Sequence, residues 1–337
     1  MKLKRYNTND ITFEELFNSA QYFQKSKGSD DSTCLIYYGG KSRDAGWILN
    51  HFPPHRLFVD VFGGGGAVTF AYSGRGSIIY NDIGNVSNFF KVLRDSPDEL
   101  YRKLYFTPFS RQEFYFCRDN WYKEMEAGNL VEWARQWFVV INQGYTHEEH
   151  GESWHVTKSV SAARSFSNHV DDLPRIVRKI RSQIHVEQMD FAKLIPMYDV
   201  VSDDFNRGDT LFYCDPPYIV DTRVSHENYT NEMGIERHEE LLNILNNIRG
   251  QAVVSGYDHP LYNEMLAGWR RDEITHKSSI QNSSSIDNRG DRTEVVWIKE
   301  HYHGLWNQEE APSNVSRVSL GRSNGEKLIF DGRRKTL

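Results

Sequence analysis

The run Arg56-Leu57-Phe58-Val59-Asp60-Val61 has the length and apolar content of a buried strand, and it passes through Phe62-Gly63-Gly64-Gly65-Gly66 into the helix-like Ala67-Val68-Thr69-Phe70-Ala71. A strand, a tight glycine turn and a helix start let a ligand come close to bare backbone, which is the local geometry of open α/β sheets. The dinucleotide fingerprint G-x-G-x-x-G requires a third glycine where this chain has Val68 or Thr69, so hydride transfer is a weak reading. A second strand-like run, Ser77-Ile78-Ile79-Tyr80, ends in Asn81-Asp82, and an acid at that position is placed to accept from ribose hydroxyls.

A further apolar run, Leu211-Phe212-Tyr213-Cys214, leads into Asp215-Pro216-Pro217-Tyr218. The two prolines fix φ and offer no backbone donor, while the acid and the aromatic ring make a polar shelf beside a π-face. Such a shelf suits a planar exocyclic amine, whose lone pair is delocalised into its ring until both N–H bonds are captured. Asp215 can take one N–H bond and the Pro216 carbonyl the other, with Tyr218 stacked on the ring. A Pro-Pro turn with an acidic cap is the plainer alternative for the tetrapeptide alone.

Taken in order, Tyr37-Tyr38-Gly39-Gly40-Lys41, Asp60 to Gly66, Asn81-Asp82-Ile83, Asp190-Phe191, Asp215 to Tyr218 and Arg292-Thr293-Glu294-Val295-Val296-Trp297 resemble the Dam-type DNA adenine methylases, in the alpha group of DNA amino-methyltransferases. The resemblance spans about residues 33 to 300, and the lysine motif ahead of the glycine loop is its most discriminating element. It implies a Rossmann-like α/β sheet, mostly parallel and seven-stranded, with a mainly helical target-recognition insert. It also implies S-adenosylmethionine as cofactor and double-stranded DNA as partner. By the same likeness Tyr37 and Lys41 border the methionine end of the cofactor, and Asp60, Phe62, Gly64 and Gly66 shape its pocket. Asp82 binds ribose, Asp190 and Phe191 flank the cofactor adenine, and Asp215 borders both cofactor and target base. Val61 stands where the family often has proline, and residues 105 to 180 match no recognition region.

The expected organisation is an N-terminal catalytic part at residues 1–97, a recognition insert at 98–182, a C-terminal catalytic part at 183–306 and a polar tail at 307–337. A helix is expected over 12–27. Strands are expected at 184–187, 210–214, 251–255, 270–277 and 293–299, with a loop from Ser255 to Asp258 at the carboxyl edge of the sheet. In the insert, Trp133 and Trp137 read as core. The polar stretch 143–168 and its border supply candidate readers of base edges or phosphate: Asn142, Gln143, Tyr145, His147, Trp154, His155, Lys158, Ser161, Arg164 and Ser165. Leu173 to Ile180 reads as an amphipathic helix with a basic face, residues 219–234 as a lid, and Arg289 and Arg292 as DNA clamps in the loop from Ser278.

A formal net charge of −6 is unusual for a DNA-binding chain, and the positive balance is local. Between Trp154 and Gln183 the cations Lys158, Arg164, Arg175, Arg178, Lys179 and Arg181 face only Asp171 and Asp172. The cysteines Cys34, Cys117 and Cys214 are scattered, and the histidines form no H-E-x-x-H pattern, so neither a disulfide framework nor a metal is expected. No apolar stretch approaches membrane-spanning length and the first residues lack a signal-peptide core, which leads to the expectation of a cytoplasmic protein without a membrane partner.

The sequence is read as that of an enzyme transferring a methyl group from S-adenosylmethionine to adenine N6 in DNA, with a cognate restriction endonuclease as a candidate partner and the oligomeric state not readable. Cytosine-N4 methylation uses the same amine chemistry, and a catalytically idle DNA-binding partner subunit is the alternative from another class. Cytosine-C5 methylation needs a nucleophilic cysteine, and Cys214 lacks a Pro-Cys setting.

Overall fold

A computed structural model of the chain describes residues 33–37, 39–155, 161–200, 209–219, 233–276 and 292–300. Seven strands form one sheet: β1 (Leu57–Asp60), β2 (Ser77–Asn81), β3 (Ile184–Glu187), β4 (Thr210–Cys214), β5 (Gln251–Tyr257), β6 (Arg270–His276) and β7 (Arg292–Lys299), in the spatial order β3-β2-β1-β4-β5-β7-β6. The first five in that order run parallel, while β7 is antiparallel to both β5 and β6. Along β1 and β4 nearly every position is apolar and buried, as expected for parallel strands covered on both faces.

From β1 the chain moves outward to β2, and from β4 it moves outward the other way to β5. The gap between the carboxyl ends of β1 and β4 is therefore the topological switch point, where open α/β sheets bind ligands. Their register, Asp60 opposite Tyr213, brings the glycine turn and the Asp215 motif out at this same edge.

Twelve helices are described: α1 (Ala45–Leu49), α2 (Ala67–Ala71), α3 (Asn85–Asp95), α4 (Pro97–Tyr105), α5 (Arg111–Arg118), α6 (Trp121–Glu126), α7 (Leu130–Gln143), α8 (Ser161–Asp171), α9 (Leu173–Gln183), α10 (Phe191–Tyr198), α11 (Ile235–Asn247) and α12 (Pro260–Met265). Six of them, α4 to α9, make up the stretch expected as the insert. Its central helix α7 buries Trp133 and Trp137 completely. Phe89 of α3 packs against Trp137 and Phe138 at ring-centroid distances of 5.3 and 5.6 Å, so one apolar core runs from the sheet into the insert. A second core on the other face holds α10, α11 and α12.

Several expectations change. Ser255, Gly256 and Tyr257 belong to β5 rather than to a loop, because they pair with β7 out to Glu294. The C-terminal part of the polar stretch 143–168 is not irregular: residues from Ser161 onward form α8, seated through Phe166 and Val170. On α9 the basic face is partly used internally, since Lys179 Nζ donates to the Phe70 carbonyl at 2.9 Å and to the Tyr72 carbonyl, and Arg175 is paired with Asp172. These contacts satisfy carbonyls at the C-terminal end of α2, which otherwise lack intrahelical donors. The expected helix over 12–27, nearly all of the lid at 219–234 and the tail lie outside the described residues.

Candidate active site

The glycine turn opens the site. Gly66 has φ +76° and begins α2, and a Cβ on Gly65 would sit 2.7 Å from Cβ of Tyr37, so this backbone lies against the Tyr37 segment without room for a side chain. The turn is fastened from the second strand: Asp82 accepts from the Gly64 N–H (3.0 Å) and the Gly84 N–H (2.7 Å), and the Tyr80 hydroxyl donates to the Gly64 carbonyl (2.5 Å). Burial pushes the Asp82 carboxyl up, opposed by those two backbone donors. Asn81 ties the edge together by donating to the Val61 and Met189 carbonyls and accepting from the Met189 N–H.

Asp60 is fully buried at the end of β1. Thr69 donates to its Oδ2 at 2.5 Å, while Oδ1 has no hydrogen-bond partner among the described residues. Burial raises its pKa to about 7, with the Asp215 and Asp82 charges adding to the rise.

Opposite, Asp190 caps α10 by accepting from the Ala192 N–H at 2.9 Å and is paired with Arg237 of α11. The Arg237 guanidinium also lies 4.2 Å from the Phe191 ring centroid, and Phe191 packs on Phe62 at 5.7 Å. Arg237 thus braces both residues expected to flank the cofactor adenine.

The end of the site at the Asp215 motif is built around a buried cation. Lys41 Nζ lies 2.9 Å from Asp215 Oδ1 and 3.6 Å from Glu294 Oε1, and it contacts the Tyr218 hydroxyl. Tyr218 donates to Glu294 Oε1 at 2.7 Å, and its ring meets Tyr257 edge-on at 4.5 Å. Ser255 donates to Asp215 Oδ1 at 3.1 Å and is itself bonded to the Tyr213 hydroxyl at 2.8 Å. Both contacts to Asp215 fall on Oδ1; among the described residues Oδ2 carries no hydrogen bond, which leaves it available to an incoming donor.

One cavity of about 430 Å³ joins these parts. Tyr37, Lys41, Asp60, Phe62, Gly64, Asp82, Asp190, Phe191 and Asp215 to Tyr218 all line it, so the sequence-expected cofactor and amine residues meet at one place. Gly66 is the exception, shaping the turn from just behind the wall. Lys41, expected beside the cofactor's methionine end, is anchored at the Asp215 carboxylate as well. Among the lining residues that had no assigned role are Arg237 and Glu149, and Met233 lines the cavity from the end of the expected lid. Glu149 comes from the insert and accepts from Trp137 Nε1 and Asn85 Nδ2, each at 3.0 Å.

A ligand with an adenosine end and a charged end fits these donors and walls. The turn admits backbone approach, Asp82 retains lone-pair capacity beyond two backbone bonds, Asp60 Oδ1 is an unused buried acceptor, and Phe62 and Phe191 offer apolar faces.

The recognition candidates divide. Asn142 and Gln143 are buried and spent: Asn142 accepts from the Ile36 N–H and donates to the Phe138 carbonyl, and Gln143 accepts from the Ser110 N–H and donates to the Pro108 carbonyl. They hold the insert together and cannot read bases. His147 is bonded to the Ile141 carbonyl, and Trp154 packs on Phe109 and under Arg111. Tyr145 is 67% exposed, and Arg164 is exposed on α8. Lys158 and Arg289 lie outside the described residues, and Arg292 begins β7 instead of standing in the preceding loop. No described helix is long and apolar enough to cross a membrane.

A family model described as D12 class N6 adenine-specific DNA methyltransferase matches residues 37–280. No curated protein matches the chain.

Proposed function

The chain belongs to the D12 class N6 adenine-specific DNA methyltransferases, and from that premise we propose how its own residues carry the reaction. The enzyme methylates adenine N6 in DNA, and the cytosine-N4 alternative is not favoured by the family it belongs to. Methyltransferases of this kind use S-adenosylmethionine, which when bound supplies a methyl group already activated by its sulfonium.

In our reading the glycine turn, Asp82 and the Asp190–Phe191 wall hold the cofactor, and Asp215 with Pro216 and Tyr218 holds the target amine. The observation that carries this is the single cavity bordered by both sets of residues at the switch point of the sheet. The protein's work is then to position: Asp215 Oδ2 and the Pro216 carbonyl accept the two N–H bonds, which localises the nitrogen lone pair toward the methyl donor. Adenine in a duplex hides that amine, so the base rotates out of the stack onto Tyr218 at a cost of a few kcal/mol. No cysteine takes part; Cys214 is buried within β4 and its thiol is held well above the ordinary range by desolvation.

The test is Asp215→Ala. Methyl transfer to duplex DNA falls by a barrier increase of about 3 kcal/mol, the scale of removing one preorganised charged partner in a water-excluded site. S-adenosylmethionine affinity by calorimetry stays close to wild type. Transfer of labelled methyl at near wild-type rate by this variant overturns the assignment.

A further inference from the structure

Glu294 has no part in the reading above, yet it is a second buried carboxylate engaged by Lys41 and Tyr218. It sits on β7, in register with Tyr257 of β5 and Ile274 of β6. Only 6% of the residue is exposed. The Tyr218 hydroxyl donates to it at 2.7 Å, and Lys41 Nζ lies 3.6 Å from the same oxygen and 2.9 Å from Asp215 Oδ1. One cation is thus shared between two buried carboxylates, and only one of these belongs to the amine-holding motif.

That sharing matters for Asp215. A carboxylate fully neutralised by an ammonium is a weaker acceptor for an amine N–H than one whose countercharge is divided. We infer that Glu294 is a positioning residue for methyl transfer: it fixes the Tyr218 ring through the hydroxyl and draws the Lys41 ammonium partly away from Asp215, so that Asp215 meets the adenine amine as a strong acceptor. The inference rests on the assignment of Asp215 as amine holder and adds a second carboxylate to the machinery.

It has a pH signature. The charged and titratable groups around Glu294 are Lys41 and Asp44 from the segment leading to α1, Asp215 and Tyr218 from the motif after β4, and Tyr257 from β5; its neighbour on β6 is the uncharged Ile274. Burial raises the Glu294 carboxyl, the Asp215 charge raises it further, and Lys41 and the Tyr218 hydrogen bond oppose the rise. Glu294 therefore takes up its proton nearer neutrality than an ordinary glutamate. Once protonated it no longer competes with Asp215 for Lys41, and transfer slows on the acid side.

The experiment compares wild type, Glu294→Gln and Glu294→Asp in single-turnover methylation of an adenine-containing duplex across pH, with calorimetry of S-adenosylmethionine binding. Glutamine can still accept from Tyr218 but carries no charge. Glu294→Gln is expected to lower the single-turnover rate about tenfold or more and to lose the acid limb, with cofactor affinity within about twofold of wild type. Glu294→Asp keeps the acid limb and recovers part of the rate. A wild-type rate and pH profile in Glu294→Gln overturns the inference. Should that variant not fold, isotope-edited infrared titration of the cofactor-free wild-type protein decides: a glutamic acid carbonyl band persisting toward neutral pH supports the inference, and its absence overturns it. If wild type itself does not methylate adenine, the Asp215 assignment fails; if it does and Glu294→Gln equals it, only the role of Glu294 fails.

Discussion

Lys41 Nζ stands 2.9 Å from Asp215 Oδ1 although 174 residues separate them in the chain, and both side chains are largely buried. The lysine arrives on the segment before α1 and the carboxylate on the turn after β4, so the contact closes the switch point from two sides. Its consequence is that the Asp215 carboxylate, which in our reading holds the amine, is oriented by the fold itself. Ser255 on the same oxygen reinforces that orientation, and in our reading Oδ2 meets the substrate.

Removing the cation should therefore be more damaging than its distance from the glycine turn suggests. In Lys41→Met, Asp215 and Glu294 become two buried carboxylates without a countercharge, and a proton bound by one of them turns an acceptor into a donor. Breaking a buried pair from one side costs about 3–5 kcal/mol. We expect a loss of stability of that order in urea unfolding, methyl transfer reduced by about a hundredfold or more, and residual activity displaced to higher pH. Unfolding midpoints equal to wild type would show that the pair contributes nothing.

Asp82 has two tasks, holding Gly64 and Gly84 by their N–H groups and, in our reading, accepting from ribose. Asp82→Ala loses charge-assisted hydrogen bonds worth about 1.5–3 kcal/mol, so calorimetry should record cofactor affinity weaker by about tenfold to a hundredfold. Asp82→Asn keeps one acceptor oxygen and should fall between. Unchanged affinity in the alanine variant would place the ribose elsewhere.

Much of this site was legible because its parts are short motifs at strand ends. Asp60 to Gly66, Asn81-Asp82 and Asp215 to Tyr218 each follow an apolar run, and a parallel sheet brings the carboxyl ends of such runs to one edge. What could not be read was pairing across the sheet. Glu294 lay within a quoted motif, but its place beside Lys41 and Tyr218 depends on β7 running antiparallel to β5, which no local pattern states. Arg237 is a single arginine in the first turn of α11, with no spacing signal linking it to Asp190 and Phe191. The insert shows the converse problem: Asn142 and Gln143 carry the side chains of base readers, and only the packing of α7 against the segments at Ile36 and Pro108 reveals that their hydrogen bonds are spent internally.

Asp60 gives a prediction about stability and pH. Its folded pKa is raised by burial to about 7, so the folded state favours the protonated acid relative to the unfolded chain. The contribution of this group is fully present below the unfolded carboxylate range and is lost progressively as pH rises from about 4 through about 7. Asp60→Asn preserves the Thr69 contact and cannot ionise. Between those limits the stability of the variant relative to wild type should increase with pH, by denaturant titration at several pH values. A constant difference would mean that Asp60 ionises in the folded protein as readily as in the unfolded chain.

The last prediction separates recognition from scaffold within the insert. Arg164 is exposed on α8 and Tyr145 protrudes from the turn after α7, whereas Asn142 is enclosed by its own hydrogen bonds. If the stretch 143–168 meets DNA, Arg164→Ala and Tyr145→Ala should weaken binding of a methylatable duplex while leaving S-adenosylmethionine affinity and unfolding unchanged. Asn142→Ala should do the reverse, costing about 1 kcal/mol of stability by stranding the partly buried Ile36 N–H. For Arg164 the salt dependence distinguishes two kinds of contact. A phosphate contact weakens all sequences alike and lowers the slope of log K against log salt by about 0.9, while a base contact costs about 1–3 kcal/mol at one position of the target only. Measuring target and scrambled duplexes at two salt concentrations separates these outcomes. If neither Arg164→Ala nor Tyr145→Ala shifts affinity or slope, this part of the insert does not touch DNA and the reading surface must be sought on another face.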